Sequence, residues 1–314
     1  MSDARRTALG LLAAFAVAVA AAPLLPRWAL FLVAVALGRG LVALGLLLLI
    51  RTGLVSFGQG LFFAVGAYAA GTAGSRLHVG DAVALVLLGA VAAAAVAGVL
   101  GLLLARYRTI FFAMLSLAFS MIAYGLLVES PALGSTDGFN VHPATVAGVP
   151  FAGRAEAYAP YLLALAVAAA AALALDRFQR THLGRLAPAV RENELRVEYM
   201  GASVRNVVHL NLVIAAALAG AGWAVTALAV GHIDPEMAYW TTSGEFVFVT
   251  IVAGTSSVAA PFAGAILLEL LRSYAVQHAP NTWQLVMGAT MLGIILALPG
   301  GLWSIFTRRR GARP

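Results

Sequence analysis

The stretch GLVSFGQGLFFAVGAYAAG, residues Gly53–Gly71, begins with glycines and small polar residues and continues into an apolar run. Small residues recur along it and just beyond it at multiples of four positions: Gly58, Gly66, Ala70 and Gly74. On a helix this spacing forms a smooth stripe, which allows the backbone of a neighbouring membrane helix to approach closely. The stretch therefore predicts a membrane-spanning helix that packs through its small residues.

A second face of the same predicted helix carries polar groups. Ser56, Gln59 and Phe63 are spaced i, i+3 and i+7, which places two polar side chains and one aromatic ring on one side. Polar side chains within a membrane either hydrogen-bond between helices or line a passage. Both roles fit this face, and its three residues are candidates for the wall of a translocation path.

The composition extends this interpretation to the whole chain, because 62% of the 314 residues are hydrophobic and only 11% are charged. Apolar runs of about 20 residues, long enough to cross a hydrocarbon core of roughly 30 Å, recur throughout. They predict ten spans: Ala8–Leu25, Trp28–Ile50, Leu54–Leu77, Ala82–Ala105, Ile110–Val128, Tyr158–Leu175, Val207–Gly231, Gly244–Val258, Phe262–Gln277 and Thr282–Ile305. The short eighth and ninth runs also fit a re-entrant or broken helix. The sequence predicts an all-α integral membrane protein, a polytopic bundle of about ten transmembrane helices in a single domain over residues 1–314.

The basic residues, all of them arginine, set the orientation of this bundle in the lipid bilayer. When the spans alternate in direction, fifteen arginines fall on the side of the N-terminus, and three, Arg27, Arg76 and Arg154, fall on the other. Cytoplasmic loops retain arginine. Both termini are therefore predicted to lie in the cytoplasm. Because the arginines flank spans and form no single basic face, nucleic acid is not a predicted partner.

Two connections are long. The outer one, residues 129–157, is rich in Gly, Pro, Ser and Asp, which favour turns. The inner one, residues 176–206, is strongly charged. Within it, Asn193 is suited to cap the start of a short helix at Glu194, and Gly201 is suited to follow the end of that helix.

An apolar ridge lies on this short helix, where Leu195 and Tyr199 are i, i+4 neighbours. Charged residues surround the ridge: Arg191, Glu192, Arg196 and Glu198. A capped helix of this kind fits a groove on a cytoplasmic partner protein. An amphipathic helix resting on lipid headgroups is the alternative.

Four ionisable residues fall within predicted spans: Arg39, Glu245, Glu269 and Arg272. Each costs roughly 2.5–3.5 kcal/mol at the centre of a bilayer, so each needs a partner or water. Glu269 and Arg272 are spaced i, i+3 and are predicted to pair on one helix. Glu245 has no local partner and is a further candidate for the translocation path.

The sequence contains no signature of catalysis. Cysteine is absent, the six histidines show no metal-ligand spacing, and neither a nucleophile-elbow nor a zinc-protease motif occurs. A nucleotide-binding P-loop needs a lysine to reach the phosphates, and this chain has none. The chain is therefore predicted not to be an enzyme, and any ATP hydrolysis that drives it would take place on another chain.

Several of these stretches together resemble one family, the permeases of branched-chain amino acid ABC transporters. Gly53–Gly71 is similar to its signature through Gly53, Ser56, Gly58, Phe62 or Phe63, Gly66, Ala67 and Tyr68. The inner connection is similar to its ATPase-coupling segment through Gly184, Arg185, Ala189, Arg191, Glu192, Glu194, Glu198 and Gly201. Leu195, which belongs to the apolar ridge, lies within the same segment and is a further candidate for coupling. Further similarity lies in Arg108–Ser120, Ser243–Glu245, Pro261–Ala265 and PGGLWSI near the end. The long outer loop resembles the LivM-type membrane subunits most.

This resemblance implies a transport subunit of a binding-protein-dependent, ATP-driven importer in the bacterial inner membrane. Its implied partners are a second, homologous permease subunit, two cytoplasmic ATPase subunits that bind ATP and Mg, and a periplasmic substrate-binding protein. The implied substrates are branched-chain or other amino acids, while urea, amides and aromatic acids also occur among related permeases. The resemblance also makes Tyr68 a path candidate. An ion-coupled secondary transporter of small polar solutes is the alternative, and its ion carriers would have to come from the four ionisable residues within spans.

Overall fold

A computed structural model describes residues 3–141, 145–146, 149–150 and 155–305. Within these ranges the chain is almost entirely α-helical, which confirms the predicted fold class. The α-helices are α1 (Asp3–Ala21), α2 (Arg27–Arg51), α3 (Gln59–Arg76), α4 (Ala82–Leu104), α5 (Thr109–Val128), α6 (Ala155–Arg180), α7 (His182–Glu192), α8 (Glu194–Tyr199), α9 (Val204–Val230), α10 (Trp240–Ala253), α11 (Ala260–His278) and α12 (Trp283–Ala297).

The remaining regular structure is short. Strand β1 (Phe139–Asn140) pairs antiparallel with β4 (His232–Ile233), and β2 (Thr145–Val146) pairs antiparallel with β3 (Val149–Pro150). Short 3-10 helices cover Ala22–Leu24, Pro131–Leu133, Ser135–Asp137 and Pro235–Ala238. The predicted outer loop therefore contains turns and two-residue strands, and its last residues already belong to α6.

Ten of the helices, α1–α6 and α9–α12, occupy the ten predicted spans. Five of them, α2, α4, α5, α6 and α9, contain segments long and apolar enough to cross a membrane, while Leu9–Leu24, α10 and α12 are shorter apolar helices. The count of ten spans stays a prediction.

Several boundaries of the predicted spans were wrong. The third span was predicted from Leu54, but α3 begins at Gln59. The last was predicted to Ile305, whereas α12 ends at Ala297 and is followed by the turn at Gly301, where φ is +76°. Hydrophobicity does not mark such ends, because apolar residues continue through a turn as readily as through a helix.

Helices α2 and α9 form the centre of the bundle, and α9 packs against α2, α3 and α4. Glycine makes this packing possible. A Cβ atom on Gly66 would lie 2.4 Å from the Cα of Gly220, and one on Gly220 would lie 2.3 Å from the carbonyl oxygen of Gly89. The predicted role of Gly66 is therefore confirmed. The same prediction of close packing was wrong for Gly74, where an added Cβ would make only ordinary contacts. Gly58 precedes α3 and so does not belong to a stripe on that helix.

The outer helices present large apolar side chains on their surfaces, particularly α4 and α5. Exposed examples are Val91, Val99, Leu102, Ile110, Phe111, Met114, Ile122 and Leu126. Apolar faces of this extent are suited to contact lipid or another membrane protein.

Candidate translocation residues and coupling face

The segment before α3 is not helical, so the prediction that Ser56, Gln59 and Phe63 share one helical face was wrong for Ser56. Side-chain hydroxyls hold this segment away from the helix: Ser56 Oγ accepts from the backbone N–H of Gly58 at 3.2 Å, and Ser116 Oγ accepts from that of Phe57 at 3.1 Å. Such bonds compete with the helix for backbone donors. Ser56 is nevertheless completely buried.

Gln59 is the first residue of α3 and is also completely buried. Neither atom of its side-chain amide has a hydrogen-bond partner among the described residues. The next residue is held firmly, because the backbone N–H of Gly60 donates to Ser243 Oγ on α10 at 2.8 Å. A buried amide without partners costs free energy. The presence of Gln59 at this position therefore favours a functional role over a purely structural one.

Phe63 lies one turn after Gln59 and belongs to an aromatic cluster. Its ring centroid is 4.5 Å from that of Trp223 on α9 and 5.0 Å from that of Phe246 on α10. The indole nitrogen of Trp223 also has no partner within the described part of the chain. Tyr68 lies further along α3, where its ring contacts Phe139 of β1 at a centroid distance of 5.7 Å.

Glu245 joins a different group of side chains, which we call the charge cluster: Arg39, Glu245, Glu269 and Arg272. Arg272 contacts Glu245 through two nitrogens at 3.3 and 3.2 Å. Arg39 Nη1 contacts Glu245 at 3.4 Å and Glu269 at 3.3 Å. The predicted pair of Glu269 with Arg272 was therefore wrong as a direct contact. Glu245, predicted to lack a local partner, has two partners from distant parts of the chain.

The inner connection folds as two helices, α7 and α8. Thr181 caps α7 by accepting from the N–H of Gly184 at 3.2 Å. A Cβ on Gly184 would lie 2.0 Å from the carbonyl oxygen of Phe178, so glycine allows α7 to turn back on the end of α6. Arg185, Arg191 and Glu192 lie exposed on this helix.

The predicted geometry of α8 is confirmed. Asn193 Oδ1 accepts from the N–H of Arg196 at 2.9 Å, and Gly201 follows the helix with φ of +85°. Leu195 is 64% exposed and Tyr199 is 90% exposed, so the apolar ridge has no cover within the described residues. Glu198 is exposed as well, while Val197 faces the core.

Two contacts tie α7 and α8 to the membrane helices. Arg108, immediately before α5, binds both carboxylate oxygens of Glu194 through Nε at 3.0 and 3.1 Å. An added Cβ on Gly53 would lie 3.2 Å from Cγ of Arg191, which places α7 directly on the segment that leads into α3. Glu194 therefore binds within its own chain. The exposed surface of α7 and α8, which we call the coupling face after its predicted role, contacts both the segment before α3 and the residue before α5.

Sequence reasoning missed several residues of this framework. Ser116 and Ser243 position the start of α3, and Arg108 anchors α8. A polar residue on an otherwise apolar helix was the available signal for the serines, but it does not name the partner. Within the described residues, no three His, Asp or Glu side chains come together as a metal site.

A bundle of apolar helices with a buried polar helix start is consistent with the class of polytopic membrane permeases. Residues 28–295 match the model of the family described as branched-chain amino acid transport system / permease component, and the chain belongs to this family.

The curated relatives are permeases of the same kind. The chain is 29% identical over 301 residues to the high-affinity branched-chain amino acid transport system permease protein LivM of Escherichia coli K12, covering 87% of this chain and 68% of that protein. It is 28% identical over 294 residues to the LivM protein of Salmonella typhimurium LT2, covering 85% of this chain and 66% of that protein. No solved structure matches the chain.

Proposed function

We propose that this chain is one of two permease subunits of an ATP-driven importer of branched-chain amino acids, and that it acts as a single membrane domain. Its partners are a homologous second permease, two cytoplasmic ATPase subunits that bind ATP and Mg, and a periplasmic binding protein. The family membership and the LivM relatives support the substrate class.

The observation that carries the coupling role is the exposed ridge on α8. An exposed apolar ridge surrounded by charge is suited to a groove on a partner protein. The Arg108–Glu194 contact connects the ridge to α5, and the Arg191–Gly53 contact connects α7 to the start of α3. Movement of a partner that holds this ridge would therefore reach the buried polar residues as a rigid-body displacement. The absence of lysine supports placing the ATP site on that partner.

For the orientation, we propose a bacterial inner membrane with α7 and α8 in the cytoplasm and both ends of the chain on the same side. The arginine distribution supports this arrangement. The ends themselves lie partly outside the described residues.

The coupling role is tested by Leu195→Asp. A charge placed on the ridge should prevent its burial in an apolar groove, so we expect weaker association of the ATPase subunits and loss of substrate-stimulated ATP hydrolysis. Both are measured on the complex reconstituted in lipid. The matched control is Leu77→Asp, since Leu77 is an equally exposed leucine at the far end of α3. Wild-type association and hydrolysis in Leu195→Asp would show that α8 rests on the membrane surface.

For the translocation path, we propose that Ser56, Gln59, Phe63 and Tyr68 line the route in a conformation that opens between α3, α9 and α10. Gln59→Leu removes an amide that has no partner, so we expect stability to be kept or raised while transport falls. Thermal unfolding and ATP-dependent uptake of leucine are measured together. Lower stability with unchanged transport would show that the amide serves only the fold.

A further inference from the structure

The charge cluster includes residues midway along α2 and α11, and its four side chains are partly buried. Arg39 is the middle residue of α2 and Glu269 is the middle residue of α11, so Arg39 is about 18 Å from either end of its helix at a rise of about 1.5 Å per residue. Ionised side chains at this depth face a partner or water, and they mark pathways more often than they support packing.

Within the charge cluster, Arg272 pairs more completely with its carboxylate partner than Arg39 does. Arg272 and Glu245 form a two-nitrogen contact, and the guanidinium carbon of Arg272 also lies 5.0 Å from the ring centroid of Trp283. Arg39 contacts its two carboxylates through Nη1 alone, and Glu269 has a single contact at 3.3 Å. Charge-assisted hydrogen bonds in proteins are typically about 2.7–2.9 Å. Arg39 and Glu269 therefore retain hydrogen-bonding capacity that the described residues do not use.

A cavity of about 200 Å³ adjoins these unused groups. Its volume is several times the roughly 30 Å³ that a water molecule occupies in the liquid. All four charged residues and Gln284 line it, and the rest of the wall is largely apolar side chains of α10, α11 and α12, among them Met287 and Trp283. A small site with apolar walls and a few polar groups at one position is typical of ligand recognition.

The cluster carries two positive and two negative charges, which decides the kind of ligand. A solute with one net charge would leave an uncompensated charge within the membrane. A solute with one group of each sign adds no net charge and can satisfy both a guanidinium and a carboxylate. We propose that this cavity binds the zwitterionic head group of an amino acid in transit, its carboxylate against Arg39 and its ammonium group against Glu269. This inference rests on the proposed function.

The test uses the complex of this chain with its second permease and ATPase subunits in lipid nanodiscs, without the binding protein. Radiolabelled L-leucine is the probe, and L-leucinamide and 4-methylpentanoate, each lacking one of the two charges, are the competitors. We expect leucine to bind and both competitors to displace it roughly tenfold less well or worse, since each loses one charge-assisted contact.

The deciding variant is Arg39→Gln with Glu269→Gln, which removes one charge of each sign and keeps the net charge. We expect leucine binding to fall roughly tenfold or more. The matched control is Asp176→Asn with Arg180→Gln, a charge pair at the end of α6 outside the cavity. Met287→Trp fills the cavity and leaves all four charges, so it should block binding in the same way.

The outcomes separate the two proposals. Leucine uptake by the complete wild-type importer, together with unchanged leucine binding in both the double variant and Met287→Trp, would overturn the cavity site and leave the proposed function intact. Failure of the wild-type importer to take up any amino acid would overturn the proposed function and the site with it. Failure of both variants to assemble would show that the second permease subunit fills the cavity, which also overturns the site.

Discussion

Ion pairs that join distant parts of the chain occur in two regions of the described residues, and they differ in geometry. At the coupling face, Arg108 holds both carboxylate oxygens of Glu194 at 3.0 and 3.1 Å. In the charge cluster, the contacts are longer, from 3.2 to 3.4 Å, and one nitrogen of Arg39 contacts two carboxylates. The first region fixes one helix to another, whereas the second leaves charged groups only partly satisfied beside a cavity.

The side chains of the two regions are similarly exposed: 24% and 43% for Arg108 and Glu194, against 26% and 36% for Arg39 and Glu245. Their surroundings differ under the proposed topology, because water at the cytoplasmic surface screens the Arg108–Glu194 pair, so its close geometry contributes little free energy. Midway along membrane helices no bulk water replaces a lost contact, so each charge depends far more on its partner. Mutations in the charge cluster should therefore reduce stability more than mutations of the Arg108–Glu194 pair. The variants below test this expectation.

The largest effect is expected for Glu245→Gln. Glu245 contacts both Arg39 and Arg272, so its neutralisation leaves two guanidinium groups with a single carboxylate. Loss of one partner of a fully buried pair costs about 3–5 kcal/mol. Because the Glu245 side chain is 36% exposed, we expect about 2–3 kcal/mol. Thermal unfolding in detergent measures the change.

Glu269→Gln is the matched variant for this measurement. Glu269 has one contact within the cluster, so its neutralisation should destabilise the protein less than that of Glu245. An equal or larger loss in Glu269→Gln would contradict the division of the cluster into a structural pair and an available pair.

A smaller effect on stability is expected for Arg108→Gln, about 0.5–1 kcal/mol, because the Glu194 side chain is 43% exposed and the pair is screened. Although its effect on stability is small, Arg108→Gln should impair coupling clearly, since the Arg108–Glu194 contact joins α8 to α5. We expect substrate-stimulated ATP hydrolysis to fall while basal hydrolysis is kept.

The control for Arg108→Gln is Arg180→Gln, which breaks a two-nitrogen i, i+4 pair with Asp176 on α6 and should cost about 1 kcal/mol, because the Asp176 side chain is only 13% exposed. This second pair joins no two helices, so coupling should survive its loss. Equal loss of stimulated hydrolysis in both variants would mean that charge on this face, rather than the α5–α8 connection, matters for coupling.

Local signals in the sequence accounted for much of this structure. Apolar runs located ten of the helices, five of which are long and apolar enough to cross a membrane, and the helix ends at Asn193 and Gly201 were predicted from the residues themselves. These features depend on hydrogen bonds to residues nearby in sequence and on hydrophobicity averaged over one span, so no knowledge of packing is needed.

At the start of α3, local sequence signals gave a wrong prediction. Ser56 fits a helical face by spacing, yet it lies in a non-helical segment, because Ser116 and Ser243 from other helices bind the backbone around it. A helix pattern cannot reveal such partners, since a serine hydroxyl can bond its own helix as well as another segment. Ser116 does both, because it also donates to the carbonyl oxygen of Ala113 at 2.8 Å.

The sequence by itself determined an all-α membrane bundle and the capped helix of the inner connection. Only the tertiary structure decided which charges meet. Arg39 and Glu245 are 206 residues apart, and Arg108 and Glu194 are 86 apart. Glu269 has Arg272 within one helical turn but contacts Arg39. The physical reason is that helix formation is settled within a few residues, whereas ion pairing between helices depends on how they pack and rotate against one another.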